Sequence, residues 1–186
     1  MPGAEAGPEP SGGPVDCIVE DDRWLEAGID ALANRAVRAA LGFLGHEPGG
    51  FLVALLAADN ARIAALNAEF RGKPVPTDVL SWPAAELAAA RPGAIPRAPI
   101  AGTVDDPCEL GDIALAWETC VQDAAAGGVP LADHLTHLVV HGLLHLLGFD
   151  HEDDADAALM ERTEAEILAE LGIPDPYGHT GPDGPV

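Results

Sequence analysis

A short run of eleven residues, HGLLHLLGFDH at positions 141–151, constrains this chain more than any other stretch. His141 and His145 are four residues apart, and residues at that spacing share one face of an α-helix. Gly148 follows, and glycine readily adopts the left-handed conformation that ends a helix, so His151 can turn back toward the same point. Three nitrogen ligands with one open coordination position are typical of a catalytic zinc site. The run therefore predicts one Zn²⁺ ion held by His141, His145 and His151.

His137, one turn before His141, is the alternative third ligand. A helix rises about 1.5 Å per residue, which separates His137 from His145 by roughly 12 Å. Zn–N bonds of about 2.0–2.1 Å cannot span that separation. The turn at Gly148 therefore favours His151. Three histidines at this spacing in an otherwise apolar run indicate a metal site rather than ordinary polar positions on a buried helix.

A second informative stretch surrounds Arg71 and Lys73, an adjacent basic pair in the loop that precedes a strand near residue 79. A guanidinium group binds phosphate through two parallel hydrogen bonds. Arg71 is therefore predicted to contact phosphate or to stabilise transition-state charge. A structural salt bridge is the alternative for Arg71, because acidic residues are abundant, and for Lys73 the two roles weigh equally.

The same stretches carry a family resemblance. The run at 141–151, the run LNAEFRGKPVPTDVLSW at 66–82 and the block LGDI at 110–113 resemble the YbeY family of metal-dependent endoribonucleases of bacterial rRNA maturation. The three blocks lie within about half the chain. The resemblance implies the same histidine ligands and a catalytic role for Arg71. It also implies a single-strand-specific endoribonuclease in 16S rRNA 3′-end maturation and ribosome quality control.

The partners that the resemblance implies are single-stranded RNA or rRNA and the small ribosomal subunit with its assembly factors, and not DNA. The formal net charge of −22 opposes this, because phosphate binding normally uses clustered basic side chains. Residues 23–149 carry a net charge of only −6, so the terminal regions hold most of the excess. An acidic surface would suit docking on basic ribosomal proteins.

Two alternative functions come from the metal site itself, and the first is a metal-dependent hydrolase of another substrate, chiefly a peptidase. The spacing of the three histidines is also that of the metzincin proteases, which place a glutamate general base directly after the first histidine. Gly142 stands there and can move no proton, which disfavours a peptidase. Water would then be activated by the metal alone or with Asp150, although Asp150 could equally orient a ligand histidine. The other alternative is a non-catalytic ribosome-assembly protein with a structural metal.

The apolar periodicity predicts an α+β fold, a small mixed sheet of about four strands with packed helices and a central histidine-bearing helix. One metallohydrolase-like domain is predicted for residues 15–172, with a flexible Ala/Pro/Gly-rich insert at 84–108. Residues 1–14 are predicted to be a disordered acidic tail, and residues 173–186 a Pro/Gly-rich tail. No apolar run reaches the roughly 18 residues that a membrane span needs, and no secretory signal is visible. A cytoplasmic protein with no membrane association is the resulting expectation.

Overall fold

The computed structural model describes residues 12–178, so most of the predicted N-terminal tail and the end of the C-terminal tail lie outside it. Four strands and six α-helices form an α+β fold, which confirms the predicted class. The strands are β1 (Val15–Val19), β2 (Phe51–Ala58), β3 (Val79–Pro83) and β4 (Cys108–Ala116). The helices are α1 (Arg23–Glu26), α2 (Ile29–Phe43), α3 (Asn60–Arg71), α4 (Trp117–Gly127), α5 (Leu131–Leu146) and α6 (Asp154–Glu170).

The sheet is mixed, as predicted, with the strand order β1-β2-β4-β3. β1, β2 and β4 run parallel, and Leu55 of β2 lies beside Ile113 of β4. β3 runs antiparallel to β4. Parallel neighbours need long crossover connections, which α1 and α2 supply between β1 and β2.

The main core lies between one face of the sheet and helices α2 and α5. Alternate residues of β2 point into it, because successive strand side chains face opposite sides. The histidine-bearing helix α5 is central, as predicted, and nine of its sixteen residues are buried. α3 packs on the opposite face of the sheet, where Ile63 and Leu80 form a smaller cluster. This arrangement leaves the C-terminal ends of α3 and α5 free to border one cleft.

Two helix starts show what the local sequence does. Asp59 precedes α3, and its side chain accepts a 2.8 Å hydrogen bond from the backbone N–H of Arg62, as expected of an N-cap. The apolar period from Arg23 to Leu41 is typical of a single helix, but the structure has two helices there. Gly28 separates them in the left-handed conformation, with φ of 69°. The apolar period continues across this break, so periodicity alone does not reveal it.

The predicted insert spans residues 84–108, and residues 84–107 form no helix or strand and lie against the rest of the fold, whereas Cys108 begins β4. The backbone N–H of Gly93 donates to Asp156 Oδ1 at 2.7 Å, and that of Gly102 donates to the carbonyl of Gly50 at 3.0 Å. Its flexibility and the predicted domain limits stay predictions. Of the helices within residues 12–178, none combines the length and apolarity needed to span a bilayer.

Candidate metal centre

The three predicted ligand histidines meet at the C-terminal end of α5. His141 and His145 share one helix face, and their Nε2 atoms are 3.1 Å apart. Gly148 adopts φ of 89°, and the chain turns so that the His151 ring lies 5.6 Å from the His141 ring and 4.9 Å from the His145 ring. One ligand nitrogen from each histidine lies within 4.8 Å of the others. The structure thus brings together the set that the spacing predicts.

The Gly148 turn has a steric requirement beyond its backbone angle. A Cβ atom at this position would lie 2.6 Å from the carbonyl carbon of Leu87, which belongs to the 84–107 segment. Any side chain would therefore force the two backbones apart, in addition to the strain of the positive φ. Glycine at 148 lets this segment close over the turn that presents His151.

In both helix histidines, the Nδ1 atom faces a hydrogen-bond acceptor. Nδ1 of His141 lies 2.5 Å from Oε1 of Glu164, and Nδ1 of His145 lies 3.1 Å from the carbonyl oxygen of Phe149. Each Nδ1 therefore carries a hydrogen, and the lone pair of a neutral ring is on Nε2. Burial, reinforced by the neighbouring histidines, lowers the pKa of His145 to about 4, so this ring is neutral at pH 7.

This arrangement fits a metal ion. Two Nε2 lone pairs that face each other at 3.1 Å repel unless a cation lies between them. Zinc–nitrogen bonds of about 2.0–2.1 Å at a tetrahedral angle separate two ligand nitrogens by roughly 3.3 Å. The donor set and its spacing therefore suit zinc, and His151 supplies a third nitrogen from the exposed side.

Glu164 of α6 is the site residue that sequence reasoning missed. Acids on an amphipathic helix such as α6 are expected on its solvated face, but Glu164 is completely buried. It accepts hydrogen bonds from His141, from Nε2 of His137 at 3.2 Å and from the hydroxyl of Tyr177. Burial alone would raise the pKa of Glu164, but these donors outweigh burial and hold the pKa at about 2. The carboxylate is therefore ionised and fixes the His141 ring.

A sequence signal for Glu164 exists. It lies four residues after Met160 and three before Ile167, so it occupies the apolar stripe of α6 rather than the polar face. An acid on an apolar stripe needs a partner inside the protein. His137, His141 and Glu164 also form a second set with ligand atoms within 4.8 Å. Both Glu164 oxygens already accept from histidines there, which favours an orienting role.

Arg71 borders the same cleft from the opposite wall. A cavity of about 640 Å³ is lined by Arg71, by all three predicted ligands and by His137 and Tyr177. Arg71 is the last residue of α3 and is exposed, and Gly72 ends the helix in the left-handed conformation. Asn67 holds the following loop, because its side-chain amide donates to the carbonyl of Val75 at 2.8 Å. Arg71 itself has no hydrogen-bond or ion-pair partner within residues 12–178.

Gly142 and Asp150 bear on how water could be activated. Gly142 is buried against β4, and a Cβ atom there would lie 3.1 Å from the side chain of Ile113. A glutamate at this position would point at the sheet, so the metzincin general base has no place in this fold. Asp150 lines the cavity, and its Oδ1 accepts a 2.7 Å hydrogen bond from the backbone N–H of His151.

The matches to known proteins cover the part of the chain that contains Arg71 and the three histidines. Residues 19–172 match the family described as Endoribonuclease YbeY. The chain belongs to the YbeY family. Relatives named Endoribonuclease YbeY include one from Paracoccus denitrificans (strain Pd 1222), 54% identical over 177 residues, covering 95% of this chain and 97% of the relative. Another, from Jannaschia sp. (strain CCS1), is 53% identical over 163 residues, covering 88% and 99%.

A solved structure supports the fold of this YbeY-family chain. The solution structure of TM1509 from Thermotoga maritima aligns with a TM-score of 0.51 and 19% sequence identity. The alignment covers 91% of this chain and 99% of the Thermotoga protein. The family match and the two relatives confirm the predicted YbeY resemblance, which extends well beyond the three blocks that first indicated it.

Proposed function

We propose that this chain is a zinc-dependent endoribonuclease that cleaves single-stranded RNA. The observation that carries the proposal is the facing pair of Nε2 atoms of His141 and His145, with His151 beside them and Arg71 on the wall of the same cavity. The name shared by its relatives supports the reaction class. When bound, zinc supplies Lewis-acid polarisation of a phosphate oxygen and lowers the pKa of a water to about 7.

The chain's own residues hold the ligands and contact the substrate. Glu164 and the Phe149 carbonyl fix the ring orientations of the two helix histidines, which keeps each Nε2 lone pair aimed at the cavity. Arg71 donates two hydrogen bonds to non-bridging phosphate oxygens, where negative charge grows in the transition state. Asp150 holds the turn that presents His151, through the backbone N–H of that residue.

The biological setting is part of the same proposal. Family membership supports action on rRNA, in 16S rRNA 3′-end maturation and ribosome quality control, in the cytoplasm. The net charge of −22 favours basic partners, so the small ribosomal subunit and its assembly factors are proposed as the docking platform. DNA and membranes are not proposed as partners.

The domain limits are part of the same proposal. Residues 15–172 would form one domain, with residues 84–108 as a flexible insert and acidic or Pro/Gly-rich tails at either side. Limited proteolysis followed by mass spectrometry tests these limits. Cuts confined to the insert and the tails would support them.

The peptidase alternative has less support, because Gly142 faces β4 and the site lacks a glutamate next to the first ligand. The structural-metal alternative predicts that loss of the ion unfolds the protein. The open side of the histidine cluster favours a catalytic ion instead, since structural zinc sites are closed by four protein ligands.

The decisive experiment compares three substrates for the zinc-loaded protein. A single-stranded RNA oligonucleotide, its duplex and an unstructured peptide are incubated with highly purified protein, before and after chelation and zinc re-addition. Cleavage of single-stranded RNA alone, lost with zinc and restored by it, is expected. Peptide cleavage that follows the metal would support the peptidase. A protein that cuts neither polymer and unfolds on chelation would support the structural metal.

A further inference from the structure

We propose that Asp78, Asp123 and His134 form a second divalent cation site at the rim of the catalytic cleft. One carboxylate oxygen of each aspartate and one ring nitrogen of His134 lie within 4.8 Å of one another. The three residues come from the segment before β3, from α4 and from α5. The tertiary fold therefore assembles the cluster from three separate elements.

His134 supplies an observation that points to a ligand. Its Nε2 atom is buried and has no hydrogen-bond partner within residues 12–178. Its ring makes no hydrogen bond to either aspartate, although both carboxylates are close. Burial lowers the pKa of His134, and the charge of His137 adds to this, so the ring is a neutral donor of a lone pair. A cation between the three side chains would satisfy groups that do not satisfy each other.

The two aspartates are held in different ways. Asp78 Oδ1 accepts from the backbone N–H of Val79 at 2.7 Å and from the hydroxyl of Thr77 at 3.1 Å. The thiol of Cys120 in α4 donates a hydrogen bond to the carbonyl oxygen of Asp78 at 3.6 Å, which connects this segment to α4. Asp123 lies one turn after Cys120 and is exposed. The site therefore has one fixed side and one side open to solvent.

The donor set selects the class of ion. Two carboxylates suit Mg²⁺ and Mn²⁺, and an imidazole in the set favours Mn²⁺ over Mg²⁺. Cys120 does not join as a thiolate, because burial raises its pKa to about 12. The exposed side leaves coordination positions for water or for an oxygen of a ligand.

The position of the cluster separates it from the histidine centre. His134 and His141 are seven residues apart on α5, which is roughly 10 Å along the helix axis. Paired catalytic metals lie about 3.5–4 Å apart, so these are two independent sites. Asp78 nevertheless lines the same 640 Å³ cavity as Arg71 and the histidines. An ion here would face the substrate beside the reacting phosphate.

Such an ion would turn a repulsive rim into an attractive one. Two carboxylates at the mouth of the cleft oppose a polyanion, and the whole chain carries −22. A bound divalent cation neutralises them and offers its open positions to a neighbouring RNA phosphate. This role rests on the proposed function, whereas the cation site itself does not.

The test titrates Mn²⁺ into the zinc-loaded, ¹⁵N-labelled protein, because this paramagnetic ion broadens the amide signals of residues near it. Selective broadening at Asp78, Asp123 and His134 is expected, lost in Asp123→Asn and kept in Asp16→Asn. Asp16 is an exposed acid on β1 that offers the same change of charge outside the cluster. Broadening around His141 and His151 alone, or spread evenly over the acidic surface, would overturn the site.

A second measurement tests whether the bound cation contributes to RNA binding, independently of whether the cation site exists. Mn²⁺ is expected to lower the KM for single-stranded RNA by roughly five-fold in the zinc-loaded wild type and to have no such effect in Asp123→Asn. An equal Mn²⁺ effect on KM in both proteins would overturn the phosphate-binding role. Absence of any RNA cleavage would count against the proposed function, while the broadening result would still decide the cation site.

Discussion

The two walls of the cleft are built in opposite ways. On the histidine wall, the Nδ1 atoms of His141 and His145 are each hydrogen-bonded to an acceptor of the protein. The acceptor of His141, Glu164, is completely buried. On the opposite wall, Arg71 is exposed and has no partner within residues 12–178. The protein therefore fixes the geometry of these candidate metal ligands before anything binds. Under the proposed function, the guanidinium acquires its order from the substrate, because a phosphate is the first group to bind it.

The largest expected effect comes from the histidine wall. His141→Ala removes a ligand, and we expect RNA cleavage to fall by at least about 10³-fold, since the Lewis acid is worth several kcal/mol. Zinc content, measured by atomic absorption, should fall with activity while circular dichroism shows a folded protein. His46→Ala, outside the cavity, is the matched control. An unfolded His141→Ala would place the metal in a structural role and break the comparison.

The arginine wall should respond differently. Arg71→Ala is expected to lower kcat by about 10²–10³-fold, because it removes transition-state charge stabilisation. Zinc content should stay at the wild-type level, and the free energy of unfolding should change by less than about 0.5 kcal/mol. Arg62→Ala, on the same helix and paired with Glu20, provides the control. Loss of zinc in Arg71→Ala would show that the two walls are not independent.

Glu164→Gln tests how the His141 ring is held in place on the histidine wall. Glutamine keeps the size of the side chain but brings a donor against ring N–H groups, so the His141 ring loses its fixed orientation. We expect zinc affinity, measured by chelator competition, to fall by about 10–100-fold. The protein should also be destabilised by about 1–3 kcal/mol in urea unfolding. Glu166→Gln, an exposed acid on the same helix, should change neither quantity.

Tyr177→Phe is expected to have the smallest effect. It removes one of three donors to Glu164 and leaves both histidines in place. A loss of about 0.5–1.5 kcal/mol in unfolding free energy and a few-fold drop in zinc affinity are expected. A loss of zinc as large as that in Glu164→Gln would mean that Tyr177, rather than the two histidines, keeps the carboxylate in place.

Much of this molecule is readable from local sequence. The apolar run of β2, the cap at Asp59 and the histidine spacing each depend on residues close together in the chain, and each appears in the structure. Burial of α5 also follows from its composition. These features can be predicted because the residues that determine each of them are neighbours in the chain.

The rest depends on contacts between distant elements. Glu164 lies 23 residues after His141, and its burial is set by α5 packing on α6. Gly142 is explained by the close approach of Ile113 of β4, and the approach of Leu87 adds a steric requirement for glycine at 148 that the helix-ending turn alone does not show. The apolar period of a single helix cannot predict these contacts with other elements. The position of Glu164 on the apolar stripe of α6 indicates a buried acid, but only the fold shows which groups it contacts.

Because Glu164 follows His141 in the chain, its position also determines when the histidine cluster is completed during translation. The histidine helix leaves the ribosome before α6, and at that moment its ring nitrogens lack the anion that orients them. Arg71, encoded earlier, is already present and needs no partner from the protein. A nascent chain would therefore carry the proposed phosphate-binding arginine before the proposed metal centre is complete. An enzyme of this design gains cleavage activity as a late step of its own translation.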